Sequence, residues 1–87
     1  MARFRILIKP GAARELEAAG TKKDRARFVE RIRALGSDPR PRGCEKLAGR
    51  EGVFRVRVGV WRVLYRVDDP AREIHKIKVG HRRDVYR

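Results

Sequence analysis

Residues 54–67 read FRVRVGVWRVLYRV, two runs of alternating apolar and polar side chains that meet at Gly59-Val60. Strand side chains point to opposite faces with a period of two, so this pattern sorts residues onto two sides of a sheet. A two-residue loop at Gly59-Val60 pairs Val58 with Trp61, Arg57 with Arg62 and Arg55 with Leu64. Directly paired residues share a face. Phe54, Val56, Val58, Trp61, Val63 and Tyr65 therefore form an apolar side. Arg55, Arg57 and Arg62 crowd the other side, where Leu64 and Arg66 join them by alternation. Like charges opposed across a strand pair destabilise a sheet. A chain that keeps them is expected to set a polyanion against that face.

The rest of the chain supplies the layers around this hairpin. A turn at Asp68-Asp69-Pro70 leads to a strand over residues 73–79, in which Ile77 and Val79, with His75, alternate against Lys76 and Lys78. Upstream, residues 3–9 (RFRILIK) alternate with Phe4, Ile6 and Ile8 on one face, and Pro10-Gly11 ends that strand. Residues 12–19 form a short helix stopped by Gly20, with Leu16 and the alanines facing the sheet. Residues 21–35 form a longer one: Thr21 and Asp24 make a capping box, and Phe28, Val29, Ile32 and Leu35 make an apolar stripe. Gly36 is its stop. Residues 37–52, rich in proline and glycine, cross from the helices to the sheet as a loop anchored by Leu47. The order strand, helix, helix, strand, strand, strand predicts an α+β fold. A small, largely antiparallel four-stranded sheet carries an N-terminal helical hairpin on one face. One domain spans residues 1–87.

Composition narrows the partners. The net charge of +13 on 87 residues calls for a polyanion, an acidic protein, or both. Arginine outnumbers lysine, and its planar fork suits bidentate phosphate contact. The single cysteine, Cys44, excludes an internal disulfide and a cysteine-only metal site, and reads as an incidental loop thiol. Arg3, Arg5 and Lys9 interrupt the first apolar segment, so an export signal is not expected. No stretch approaches the roughly 20 apolar residues of a membrane span. The expectation is a complete, cytoplasmic chain.

The chemistry must come from cations. The sequence has no glycine-rich phosphate loop, no serine-histidine-aspartate set in recognisable context and no histidine, cysteine or carboxylate spacing for a metal. Metal, cofactor and small-molecule sites are therefore not expected. What remains is Arg55, Arg57, Arg62, Arg82 and Arg83, with His81 and Tyr86 beside them. Such a set fits a basic surface that solubilises or binds. It also fits metal-free RNA cleavage, in which a 2′-hydroxyl attacks the adjacent phosphorus. Guanidinium groups stabilise the charge gathering on the phosphoryl oxygens. A base takes the 2′-proton, and an acid protonates the departing 5′-oxygen. Arginine stays protonated in proteins, which leaves His81 and Tyr86 as proton carriers.

Lys46-Leu47-Ala48-Gly49, then FRVRVGVWRVLYRV, then IKVGHRRDVYR together resemble the RelE/ParE superfamily of toxins from toxin–antitoxin pairs. The opening strand with KPGAARELEAA after it resembles the family too, so the likeness covers nearly the whole chain. The resemblance implies a small antiparallel sheet against a helical hairpin. It also implies an mRNA endoribonuclease that works in the ribosomal decoding site without metal and is held inactive by an acidic, RelB-like antitoxin. Carried over by position, it implies strand cations at Arg55 and Arg57, a second-strand arginine at Arg62, a post-strand arginine at Arg82 and a tyrosine at Tyr86. Arg83 joins the RNA-binding set and His81 the catalytic one. Arginines at 55 and 57 stand where the best-known members have lysines, so a lysine base is not available there and His81 or Tyr86 would share that role. Three other readings share the fold: a ParE-like inhibitor of DNA gyrase, a non-catalytic RNA- or ribosome-binding module, and an inactive homologue.

Overall fold

The computed structural model describes residues 3–81. Five strands and two helices follow in the order β1 (Arg5–Ile6), α1 (Pro10–Ala18), α2 (Lys22–Leu35), β2 (Glu45–Lys46), β3 (Val53–Val58), β4 (Trp61–Asp68) and β5 (Glu73–His81). They form one sheet in the order β1-β5-β4-β3-β2, antiparallel except for the β1–β5 pair. The α+β architecture is as expected, with one strand more. Glu45 and Lys46, read from the sequence as loop, pair with Arg55 and Phe54 at the sheet edge. Two residues are too short to leave an alternation signal.

The β3–β4 hairpin has the expected register, Val58 with Trp61, Arg57 with Arg62 and Arg55 with Leu64. Gly59 has φ +63° while Val60 is not left-handed, the pattern of a type II′ turn, whose twist matches that of the strands. Helix α2 begins at the expected capping box. The Asp24 amide donates to Thr21 Oγ1 at 3.1 Å and the Thr21 amide to Asp24 Oδ2 at 3.0 Å. The Thr21 amide first, and then the Thr21 hydroxyl, hold the Asp24 carboxyl below the usual aspartate range. Gly36 ends the helix in a right-handed conformation rather than the left-handed one usual for such a glycine. Its role is close approach: its carbonyl accepts from the Phe4 amide at 2.9 Å, and a Cβ there would lie 3.2 Å from the Phe4 carbonyl oxygen. Pro10, read as a strand stop, opens α1, because its fixed φ suits the first helical turn.

Phe28, Ile32 and Leu35 of α2 bury against Phe54, Val56, Val58, Val63, Tyr65, Val67, Ile74, Ile77 and Val79. The 37–52 loop is tied down by Tyr65, whose hydroxyl donates to the Pro39 carbonyl at 2.9 Å, and by Arg40, which pairs with Asp69 at 2.6 Å. Burial pushes the Tyr65 phenol well above its ordinary pKa and keeps it a neutral donor. Cys44, not Leu47, is the loop residue packed against the core.

Strand β5 departs from strict alternation. Leu64 pairs with Lys78, but Arg66 pairs with His75, so two residues of β5 oppose Tyr65 alone. This bulge is built on Lys76, which adopts φ +56°. The bulge exchanges the faces of the residues before it. Ile74 is fully buried in the core, and His75 shares the face of Arg66 instead of joining Ile77 and Val79. The inward placement read for His75 is thus corrected, since one extra residue inverts the parity of everything upstream.

Candidate nucleic-acid interface

The face of the sheet away from the helices gathers the strand cations. Register places Arg55 and Arg57 of β3, Arg62 and Leu64 of β4 and Lys78 and Gly80 of β5 on it together. Lys78 was not singled out in the sequence, although its alternation with Ile77 and Val79 was the available signal. Leu64 lies between Arg55 and Lys78 and is buried, so the cations surround an apolar centre.

Arg62 is the exceptional member. Only 7% of its surface is exposed, and its Nε is buried without a hydrogen-bond partner among the described residues. A buried cationic donor left unsatisfied is costly, and the cross-strand Arg57 adds repulsion. Arg55 is better provided for, since its guanidinium donates to Glu45 Oε2 at 3.1 Å. The hydrogen bond from Arg55, and beyond it the charges of Arg55, Arg57 and Arg62, hold the Glu45 carboxyl below the usual glutamate range. The β2 edge strand therefore brings a carboxylate to the rim of the arginine cluster, where it acts as an internal counter-anion. Arg57 is exposed.

His81 does not join this group. Arg62 pairs with Gly80, whereas His81 pairs with Trp61 and so shares the opposite, apolar face. Its ring meets Trp61 edge-on at 5.7 Å, and Trp61 meets Phe28 in the same way at 5.7 Å. The position after Gly80 put His81 close to the arginines in sequence, but strand parity turns it away from Arg62. Arg82, Arg83 and Tyr86 lie outside the described residues.

At the other end of the same face, Asp68, Glu73 and His75 bring one potential metal ligand each within 4.8 Å of one another, a grouping the linear spacing did not disclose. Glu73 is committed to Arg5 at 2.9 Å, and His75 lies 4.0 Å from Asp68. The Arg5–Glu73 ion pair within this grouping ties β1 to β5. No helix among the described residues is long and apolar enough to cross a membrane.

Comparison with known proteins agrees with this geometry. Residues 6–86 match the family described as the ParE toxin of the type II toxin–antitoxin system parDE. Over 36 residues the chain is 44% identical to Toxin RelG of Mycobacterium tuberculosis, a match that spans 41% of each protein. The fold superposes on the archaeal RelE–RelB complex of Pyrococcus horikoshii with a TM-score of 0.78 at 31% identity, covering 94% of this chain and 97% of the other. It superposes on the toxin–antitoxin complex RelBE2 of M. tuberculosis with a TM-score of 0.74 at 30% identity, covering 91% and 98%. The chain belongs to the RelE/ParE superfamily and is a RelE-like toxin of a toxin–antitoxin system.

Proposed function

We propose that this toxin is a ribosome-dependent mRNA endoribonuclease, cleaving in the decoding site by 2′-hydroxyl attack without a metal ion. The observation that carries the reading is Arg62, a buried guanidinium with an unpartnered Nε among other cations. A phosphate on this face offsets the guanidinium charge and relieves the repulsion between Arg62 and Arg57. Arg62, with Arg82, then stabilises the charge that develops on the phosphoryl oxygens. Arg55, Arg57 and Arg83 hold the flanking backbone. We read His81, which pairs with Trp61, as a packing residue, and Tyr86 as the proposed proton carrier. Open placement of the cluster on a sheet face makes the ribosome responsible for orienting the substrate. An acidic, RelB-like antitoxin is the proposed inhibitor, and the two RelB-bound relatives support it.

The test is primer extension on mRNA held in programmed ribosomes with EDTA present, comparing wild type with Tyr86→Phe. Discrete cuts within the decoding-site codon, slowed in the variant at unchanged ribosome binding, are expected. No cuts from a folded, antitoxin-free toxin would overturn the reading. The second reading, inhibition of DNA gyrase, is favoured by the ParE description of the matching family. It predicts loss of supercoiling activity with translation intact.

A further inference from the structure

At the end of the sheet near the β3–β4 turn lies a cleft of about 480 Å3, lined by Arg27, Glu30, Arg31 and Ala34 of α2 and by Arg57, Val58 and Gly59. Three guanidinium groups meet one carboxylate there. Among the described residues, Arg27, Arg31 and Arg57 have no ion-pair partner, whereas Arg5, Arg40 and Arg55 are each tied to a carboxylate. Arg27 and Arg31 are four residues apart on α2, so they stack on one helix face about 6 Å apart along the axis. Arg27 reaches down to the turn, where a Cβ on Gly59 would lie 3.7 Å from its Nη1.

Arg57 belongs to two places. By register it sits opposite Arg62 on the cationic face. It also lines the cleft with residues of the helix that covers the other face. It can do both because β2 pairs with β3 only at Phe54 and Arg55, which leaves the sheet edge at Arg57 open among the described residues. The cations of the face and of the helix are thus joined around that edge.

We propose that the cleft is a second phosphate-binding track. An RNA backbone leaving the Arg62 face passes Arg57 over the edge of the sheet and runs along Arg31 and Arg27. The proposal rests on the RNA-cleaving reading above. An acidic peptide is the less suited occupant. The cleft offers only Ala34 and Val58 as apolar lining, and peptides that order on binding need an apolar seat. The three guanidinium forks that line the cleft match phosphate oxygens instead.

The experiment measures binding of a labelled 24-nucleotide 2′-O-methyl RNA, which has no attacking hydroxyl, across a range of salt concentrations. Wild type is compared with Arg27→Ala/Arg31→Ala, whose parent side chains are exposed, and with Arg27→Lys/Arg31→Lys. Each phosphate contact on a single strand contributes a slope of about −0.7 in log K against log salt. The double alanine variant should lose about 1.4 of that slope and bind about tenfold more weakly at low salt, while the double lysine variant keeps the slope. Wild-type slope and affinity in the alanine variant would overturn the track and leave the RNA reading standing. Unchanged RNA binding with lost binding to a poly-glutamate peptide would assign the cleft to a protein and also overturn it. No salt-dependent binding by wild type would overturn the track, while primer extension on programmed ribosomes would decide the RNA reading separately. Should the double alanine variant lack a cooperative melt, Arg31→Ala alone must lose about 0.7 of the slope for the track to stand.

Discussion

The two faces of the β3–β4–β5 sheet come from the same strands but are stabilised in opposite ways. On the helix side, Phe28, Val63, Tyr65 and Ile74 are completely buried among apolar neighbours, and each adds to stability. On the other side Arg62 is almost as deeply buried, yet among the described residues its Nε has no hydrogen-bond partner and Arg57 faces it across the ladder. Burial of apolar area is favourable wherever it occurs, and burial of a cation is favourable only when an anion accompanies it. The difference teaches that the helix side is satisfied among the described residues, whereas on the cationic side Arg62 Nε finds no hydrogen-bond partner among them. Glu45 supplies a carboxylate to Arg55 at the rim of that side.

The contrast can be broken most severely on the helix side. Phe28→Ala removes a fully buried ring that also meets Trp61 edge-on, and is expected to cost about 3–5 kcal/mol in denaturant unfolding. For a domain this small that loss approaches the total stability. A loss under 1 kcal/mol would show that the helices contribute little to the core.

Arg62→Ala should do the reverse. Cleavage should fall about 10²–10³-fold, as when a donor to a developing oxyanion is removed, while the melting temperature moves by less than about 8 °C. Wild-type cleavage by this variant would overturn the assignment of the cationic face.

A smaller effect distinguishes the two readings of His81. Because its ring packs on Trp61, His81→Ala should lower stability by about 0.5–1.5 kcal/mol and change the tryptophan fluorescence. A large rate loss at unchanged stability and unchanged fluorescence would return His81 to the proton-transfer set.

The smallest effect lies in the pH dependence of stability. The folded Glu45 carboxyl has a lower pKa than the unfolded one, so its contribution is present above the ordinary glutamate range. It is lost as the pH falls through that range towards the depressed folded value. Comparing acid unfolding of wild type and Glu45→Gln should show the curves converging at low pH and separating as Glu45 ionises. At neutral pH the variant should bind RNA more tightly, since a competing anion has gone. Parallel curves would mean that the Glu45–Arg55 pair is too solvent-screened to matter.

The hairpin was legible because everything that specifies it is local. A two-residue turn with glycine first sets the register, and period-two alternation then assigns Phe54 through Arg66 to faces. The capping box at Thr21 and the stripe of Phe28, Ile32 and Leu35 were legible for the same reason. What misled was the assumption that alternation runs unbroken through β5. Ile74 and Ile77 are three residues apart, and both are buried in the core. That spacing was the available trace of the bulge at Lys76, but a lysine is not the residue that usually announces a left-handed position. The β2 edge strand and its Glu45 left no signal at all, because pairing of two residues depends on where the loop returns rather than on their side chains.

By itself, the sequence determined the α+β architecture, the two helices, the apolar core and the crowding of arginines onto one side of a hairpin. These follow from periodicity and turn chemistry, which act over a few neighbouring residues. Only the tertiary structure decided that His81 belongs to Trp61, that Glu45 meets Arg55, and that Arg57 bridges the sheet face and the α2 cleft. Those are matters of register and return path between distant segments. One inserted residue inverts them without altering any local preference.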